Sequence, residues 1–493
     1  MSTRKIATST LWQLGSQVTM AALSILTVKF VAMGLSKELA GNYNSAYGFL
    51  QLFGILADFG LYAVAVREVS RAPEQSSMFD KPINNRAEVL GAIIILRCIT
   101  LVISLSAALL FIWFIPIWKG TPLPLSVTIA SLVPFFTLLA GIIRTVFQVN
   151  YKMHFVFIAE VAQRILTVIF IGLFILLGVR GSHDLHHLHL FLFIGGVGAF
   201  LLFFISLTYG NRLMVIRPNW NTALLKRLAL SAAPFGAAFF CMALYRQFDV
   251  TLIALLRPDY ELQNAYYGFV LRMADMGFLI PTFLLNSTLP ILSERDAKGE
   301  DTRGLLGKTF LIILILGSIS LLFSTLWSRP LIHLLTTEAY LSTPLRPGSD
   351  TALRLIGFPI FLNGIVLFGF YVLLTKLRWK KLVAILLLGV IISLSLNLWL
   401  IPLHGFVGAA KVSILVHSIL AILLFRESIR VMPMRLRWPD MTRWGVFSAI
   451  LAGILMISEP YLTNEISTIA AIAVMAIVIA FLAWVIGLVK ALI

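Results

Sequence analysis

Six cationic side chains lie within apolar stretches that are long enough to cross a lipid bilayer. They are Lys29, Arg97, Arg164, Arg246, Arg272 and Lys411. A charged group at the centre of a bilayer costs roughly 2.5–3.5 kcal/mol on insertion scales, so most of these groups must face water, an acidic partner or an anion. Guanidinium groups match phosphate in a bidentate geometry. The sequence therefore predicts a positively charged polar cavity inside the membrane, suited to an anionic ligand.

The composition is that of an integral membrane protein along nearly its whole length. Of 493 residues, 59% are hydrophobic and 12% are charged, whereas soluble proteins average about 25% charged residues. We attribute the net charge of +17 to the positive-inside rule and to anionic lipid, and not to nucleic acid. The two cysteines, Cys98 and Cys241, lie in apolar segments and are interpreted as small core residues.

A membrane-crossing helix needs about 20 apolar residues, and this criterion predicts fourteen spans. The predicted spans are 8–33, 42–66, 89–116, 124–147, 153–179, 187–209, 226–256, 264–292, 305–327, 351–375, 382–401, 406–426, 442–458 and 466–489. Of the 39 Lys and Arg residues, 26 fall in predicted inside segments and seven in outside ones. This asymmetry favours an even number of spans with both termini in the cytoplasm. The first span is too long to be the apolar region of a cleaved signal peptide.

An internal repeat of about 224 residues relates the second span to the eighth. The segment Gly41–Asn44 opens one and Ala265–Gly268 opens the other. The repeat predicts an all-α membrane protein with two six-helix lobes, residues 1–215 and 216–430, around a central cavity. Residues 431–493 would add two further helices. Repeats of this kind place substrate sites at the interface between the halves.

Helical periodicity places polar residues on one face of the first two spans of each predicted half. The members that matter for binding are Gln17, Gln51 and Asp58 in the first half, and Tyr245, Arg246, Asp249, Arg272, Asp275 and Asn286 in the second. Hydrogen bonding between membrane helices would also explain such stripes. Arg246 and Asp249 are three residues apart, as are Arg272 and Asp275. Whether each pair neutralises itself or exchanges partners, the arginines keep donors for a phosphate.

The other intramembrane cations have competing interpretations. Glu160 precedes Arg164 by four residues, which favours a salt bridge within one helix. Lys29 and Lys411 lie near the outer ends of their spans and either reach the interface or line the cavity. Arg97 has no acidic neighbour in its own helix, and Asp58 is its candidate partner.

Two further segments attract attention. Residues 183–189 contain four histidines, but no second ligand cluster exists, so an outside loop is favoured over a metal site. Residues 426–444 contain five arginines and two tryptophans, and they are interpreted as an inside loop that rests on anionic headgroups. The sequence contains no phosphate-binding glycine loop or ATPase signature, so no nucleotide or other cofactor is expected.

Several segments together carry a family resemblance. They are residues 41–50 (GNYNSAYGFL), 57–61 (ADFGL), 67–68 (RE), 231–234 (SAAP), Asp249, Tyr266, Tyr267, 289–293 (LPILS) and 397–410 (NLWLIPLHGFVGAA). They resemble the polysaccharide-biosynthesis flippases, the Wzx-type members of the multidrug/oligosaccharidyl-lipid/polysaccharide (MOP) exporter superfamily. The resemblance covers roughly residues 5–430. Lys411 departs from the small or apolar residue expected after Gly-Ala-Ala.

The resemblance implies two lobes, alternating access and a location in the bacterial inner membrane. The substrate would be an undecaprenyl-diphosphate-linked oligosaccharide, moved to the outer leaflet for a surface polysaccharide such as the O-antigen of lipopolysaccharide. A polymerase and chain-length proteins would be partners. Arg246 and Arg272, joined by Arg97 and Lys29, would hold the diphosphate. Polar residues would bind the sugars (Gln17, Gln51, Tyr245, Asn286), and carboxylates would bind a coupling cation or proton (Asp58, Asp249, Asp275).

Three other functions remain open. A lipid II flippase also has fourteen spans and a cationic cavity. A cation-coupled drug exporter has twelve spans and usually a more acidic or apolar pocket. A membrane glycan polymerase or glycosyltransferase commonly needs a large outside loop, whereas the longest here, residues 328–350, is short. We therefore expect a transporter and not an enzyme.

Overall fold

A computed structural model describes residues 3–61, 64, 65, 68, 86–150, 152–213 and 218–488. These residues form the α-helices α1 (Thr3–Gly34), α2 (Lys37–Asp58), α3 (Arg86–Phe114), α4 (Leu123–Ala130), α5 (Leu132–Val149), α6 (His154–Leu176), α7 (Leu185–Leu213), α8 (Thr222–Gln247), α9 (Asp249–Leu256), α10 (Tyr260–Ala297), α11 (Arg303–Leu326), α12 (Ser328–Leu335), α13 (Ser349–Thr375), α14 (Trp379–His404), α15 (Phe406–Val431), α16 (Trp438–Ser458) and α17 (Glu465–Val485).

The all-α membrane fold predicted from the sequence is confirmed. Within the described residues, eleven helical segments are long and apolar enough to cross a membrane. Each of the fourteen predicted spans corresponds to one helix or to two consecutive helices. The fourth span is divided into α4 and α5, and the seventh into α8 and α9.

Backbone packing separates two compact units, residues 1–251 and residues 252–493. The lobe boundaries that the sequence suggests, after residues 215 and 430, stay predictions. In the first unit α1 packs against α6, α5 against α7, and α2 against α3, α4 and α8. A buried apolar cluster joins α3, α5 and α8 through side chains that include Ile93, Val146 and Leu228.

Helix α13 lies at the centre of the second unit, in contact with α10, α11 and α15. Glycines on α13 permit this close packing. Gly364 faces Ile313 of α11, and Gly369 faces the backbone and Cβ of Leu424 on α15. Small residues serve the same purpose in many membrane bundles, since van der Waals packing replaces the hydrophobic effect there. Helices α16 and α17 pack against α11 and α12, where the indole nitrogen of Trp327 donates to the carbonyl of Leu455 at 3.0 Å.

The repeat detected in the sequence reappears in the loops at one end of each unit. Gly181 and Gly405, which are 224 positions apart, both have left-handed backbones with φ of 56° and 58°. Gly181 donates its amide to Met33, just before α2, and Ser36 donates to Ser182. In the second unit the amide of Phe406 donates to Gln263 of α10 at 3.0 Å. Each unit therefore joins the start of its second span to the connection between its fifth and sixth spans.

An ion pair strengthens this junction in the second unit. Arg257 donates to the carboxylate of Asp259 at 2.7 and 3.0 Å and to the carbonyl of Pro402 at 2.8 Å. Gln263 donates to the same carboxylate. Burial by itself would raise the pKa of Asp259, but the hydrogen bonds from Arg257 and Gln263 outweigh it and hold that pKa below its usual range. The carboxylate is therefore ionised, and it orients both donors.

Gly369→Ala tests the close packing of α13. A Cβ at this position would lie 2.7 Å from Cβ of Leu424 and 2.8 Å from its carbonyl group, so α13 and α15 must move apart. We expect a destabilisation of about 1–3 kcal/mol, as for an overpacked core, seen as a lower unfolding temperature in detergent. The matched control is Gly453→Ala, because no atom beyond the surrounding backbone of its own helix and its chain neighbours lies within 4 Å of the added methyl group there. Equal unfolding temperatures for the two variants would contradict the packing.

Candidate functional site

The polar residues predicted for the first unit are positioned by an early end to α2. The predicted second span extends to residue 66, but α2 ends at Asp58 because Phe59 and Gly60 adopt left-handed backbones, with φ of 38° and 71°. A left-handed phenylalanine is costly. Its ring packs directly over Gly236 of α8, where a Cβ would lie 2.6 Å from ring atoms. This contact fixes the turn and places Asp58 at the end of the helix.

Asp58 forms a salt bridge with Arg97 of α3, with Oδ1 and Nη2 2.5 Å apart. Arg97 is only 4% exposed, and its guanidinium lies against Gly141 of α5. A carboxylate is unfavourable at the negative C-terminal end of a helix, so the arginine compensates both the side chain and the helix end. The hydroxyl of Thr100 reinforces the contact by donating to the carbonyl of Ala57 at 2.8 Å. The partner that the sequence suggested for Arg97 is thus confirmed.

A second carboxylate, Glu160 of α6, is 14% exposed and connects three helices. The sequence pairs Glu160 with Arg164 one turn later, but its described hydrogen bonds come from other helices. Arg144 of α5 donates to one oxygen at 2.8 Å, and Ser16 of α1 donates to the other at 2.5 Å. A rule for neighbours within one helix cannot identify such partners. Arg144 is one of the 26 cations that the sequence places in inside segments, but it lies within α5, with 26% of its side chain exposed.

The charges of the seventh span lie at a helix break, although the sequence suggests one continuous helix. Arg246 is in the last turn of α8, and Asp249 begins α9. A cation near a helix C-terminus and an anion at a helix N-terminus are each stabilised by typically 0.3–1 kcal/mol. Asp249 is 2% exposed, and Tyr245 is fully buried. Arg246 is only partly buried.

The other predicted site residues are distributed as follows. Arg272 and Asp275 are partly buried on α10 in the second unit, Lys29 is partly buried on α1, and Gln51 is exposed on α2. The side chains of Gln17 and Asn286 lie outside the described residues. Every site assignment made from the sequence therefore remains a prediction. The Asp58–Arg97 salt bridge confirms that these residues pair and does not test a binding role for either.

The histidine-rich segment caps the start of α7. Ser182 Oγ lies 2.9 Å from Nδ1 of His187, and the carboxylate of Asp184 accepts the amide of His186. Within the described part of the chain, no three His, Cys, Asp or Glu side chains are grouped as metal ligands.

Asp58→Asn and Arg97→Gln test the ion pair between α2 and α3. Asp58→Asn leaves Arg97, which is 4% exposed, as an uncompensated buried charge and should cost about 3–5 kcal/mol. Arg97→Gln leaves Asp58, which is 31% exposed, and should lower the unfolding temperature less. The double variant leaves no unpaired charge. Its loss of stability should therefore be smaller than the sum of the losses in Arg97→Gln and Asp58→Asn. Asp184→Asn is the control, since that carboxylate is 62% exposed. Additive losses in the double variant would contradict the coupling.

Comparison with known proteins identifies the family. A family profile described as "Polysaccharide biosynthesis protein" matches residues 6–295, more than half of the chain. The comparison with curated proteins gives no significant match.

Solved structures show the same fold at low sequence identity. "Lipid II flippase MurJ, inward closed conformation" is 13% identical, with a TM-score of 0.72, and the alignment covers 98% of this chain and 99% of that chain. An inward-facing multidrug resistance MATE family transporter of the MOP superfamily is 12% identical, with a TM-score of 0.63. The alignment covers 86% of this chain and 98% of that chain. A Vibrio cholerae MATE transporter is 13% identical, with a TM-score of 0.50, and the alignment covers 87% and 97%. The chain has the fold of the MOP superfamily and belongs to the polysaccharide biosynthesis protein family.

Proposed function

We propose that this protein moves a lipid-linked oligosaccharide from the cytoplasmic to the outer leaflet of the bacterial inner membrane by alternating access. The substrate would carry a diphosphate between an undecaprenyl chain and the glycan. The family match supports this function, because surface polysaccharides are built on such carriers. The main structural support is the placement of Arg246, a partly exposed guanidinium at a break in a membrane span.

Four of the intramembrane arginines form two pairs that suit different roles. Arg97 and Arg144 are bound to carboxylates of neighbouring helices, so they stabilise the helical packing. Arg246 and Arg272 are partly exposed within their spans, and each guanidinium carries five N–H donors. One carboxylate does not use all of these donors, and the remainder match phosphate oxygens. We therefore assign the diphosphate to Arg246 and Arg272, with Lys29 as a third cation.

The helix break supports this assignment on general grounds. Many transporters bind substrates and ions where membrane helices are discontinuous, because helix ends supply partial charges and unpaired backbone groups. The interruption between α8 and α9 is a single residue, Phe248, which lies between Arg246 and Asp249. Polar residues of spans 1, 2, 7 and 8 (Gln17, Gln51, Tyr245 and Asn286) would contact sugars as the protein changes conformation. Tyr245 is buried in the described conformation, so its contact requires a rearrangement.

The coupling role of the acidic residues is a finer proposal. A proton or cation that binds Asp58 would compete with Arg97 for the same carboxylate, and this competition links ion binding to the packing of α2 on α3. Asp249 and Asp275 remain the other candidate sites. A polymerase and chain-length proteins would receive the translocated glycan.

A lipid II flippase is the second candidate. The similarity to the lipid II flippase MurJ covers 98% of this chain, whereas the similarity to the MATE transporter covers 86%. Lipid II carries the same diphosphate, so the proposed headgroup contacts serve either substrate. The family match favours the oligosaccharide.

Export of surface glycan in cells that carry Arg246→Ala and Arg272→Ala tests the headgroup assignment. Hydrogen bonds to charged groups contribute roughly 1.5–3 kcal/mol each, so the double variant should reduce export at least about tenfold at normal protein levels. Arg180→Ala with Arg346→Ala is the control, since both side chains are exposed in loops. Unchanged export in the double variant would refute the assignment. Restoration of growth in cells that lack their lipid II flippase would favour the second candidate.

A further inference from the structure

The connection between α15 and α16 is fixed to the beginning of α11 by its backbone. The amide of Arg435 donates to the carbonyl of Arg303, the first residue of α11, at 3.0 Å. One turn later, the carbonyl oxygen of Arg435 lies so close to Gly307 that any Cβ there would overlap it. These contacts involve no side-chain atoms of either arginine. The backbones of the two residues are therefore held together, and their guanidinium groups remain available to bind a ligand.

These contacts place the backbones of two arginines next to each other, and neither arginine has a compensating acid among the described residues. Arg303 and Arg435 are both exposed, and neither forms a salt bridge within the described part of the chain. The nearest acidic side chain in sequence, Asp301, accepts the backbone amide of Arg303. Arg437 adds a third cation with a side chain that is 69% exposed and 3.7 Å from Asp440. A bound anion would offset the charges of Arg303 and Arg435, which the described residues leave without an acidic partner.

Other cations of the same unit contrast with this group. Lys376 is bound to Asp296 at 2.6 Å, and Lys381 and Arg430 share Glu427 at 2.7 and 2.8 Å. Their charges are satisfied within the protein. Arg303 and Arg435 differ from these three residues, because neither has an acidic partner within the described part of the chain.

An exposed indole beside the arginines indicates the chemistry of the partner. Trp438 is 81% exposed at the first position of α16. Tryptophan is enriched at the boundary between hydrocarbon and headgroups, where its ring meets lipid and its N–H meets water. The support beneath it is rigid, because Trp444 donates to Ser318 of α11 at 3.0 Å and Asp440 accepts from Arg443 at 3.0 Å.

We propose that Arg303, Arg435, Arg437 and Trp438, here called the basic junction, bind the phosphate of an anionic phospholipid from the surrounding bilayer. The guanidinium groups contact the phosphate, and the indole lies against the glycerol and upper acyl region. A juxtamembrane group of arginines attracts anionic lipid generally, and the backbone contacts here hold this one in a fixed arrangement. The basic junction shares no residue with the substrate contacts proposed above, and the proposal does not depend on them.

Native mass spectrometry of the purified full-length protein with phosphatidylglycerol or phosphatidylcholine tests this site. We expect the wild type to retain phosphatidylglycerol preferentially. Arg303→Ala with Arg435→Ala should weaken that binding at least about tenfold, because charged hydrogen bonds are lost. The control is Arg378→Ala with Lys380→Ala, which removes two exposed cations that likewise have no salt bridge within the described residues. The control variant loses only general electrostatic attraction, so its binding of phosphatidylglycerol should weaken by less than about fivefold.

The results that would overturn the proposal are distinct. The first is an equal loss of phosphatidylglycerol binding in the two double variants. The second is a wild type with no preference for phosphatidylglycerol. The third is a junction at which undecaprenyl phosphate competes and phosphatidylglycerol does not. Arg435→Ala alone serves if the double variant does not fold, since the backbone contacts of residue 435 are retained. Arg303→Lys with Arg435→Lys keeps the charge but loses the planar fork, and should restore part of the binding.

Discussion

The high free energy of an unpaired charge in hydrocarbon is the constraint on which this structure depends. Two cations of the first unit, Arg97 and Arg144, satisfy this constraint by pairing with a carboxylate of a different helix. Arg97 of α3 is held by Asp58 of α2, and Arg144 of α5 is held by Glu160 of α6. Such contacts are strong only while both members are present. They therefore determine which helices move together, since separating α2 from α3 would expose both charges.

The same constraint applies to the backbone, because an interrupted membrane helix exposes polar groups that require partners. The ends of α2, α8 and α9 all carry charged residues. Arg246 and Asp249 complement the helix ends on which they lie, whereas Asp58 opposes its helix end and depends on Arg97. Arg246, Asp249 and Asp58 thus lie at the ends of helices, where they interact with the helix termini or with a charged partner. A protein that must change conformation around a charged headgroup needs both adaptable helix ends and fixed cations.

The sequence predicts the helices far better than it predicts their contacts. Fourteen spans are recognisable because hydropathy is a local property of the chain. The repeat of 224 residues is recognisable because short segments match each other. Gly181 and Gly405 show that the repeat extends to individual backbone angles. The breaks are harder to predict. Gly60 gives a weak signal for the end of α2, but Phe59 gives none, and no glycine or proline marks the break at Phe248. The partners of Glu160 lie 16 and 144 positions away, beyond any rule for one helix. The site residues of different spans depend on tertiary packing in the same way.

The most direct test of the account measures transbilayer movement with the purified protein in liposomes. A fluorescent undecaprenyl-diphosphate oligosaccharide is placed in one leaflet, and its arrival in the other is detected with a membrane-impermeant quencher. The account predicts protein-dependent movement of this lipid and none of a matched glycolipid that lacks the diphosphate. Equal movement of the two lipids would contradict the claim that intramembrane arginines recognise a diphosphate headgroup.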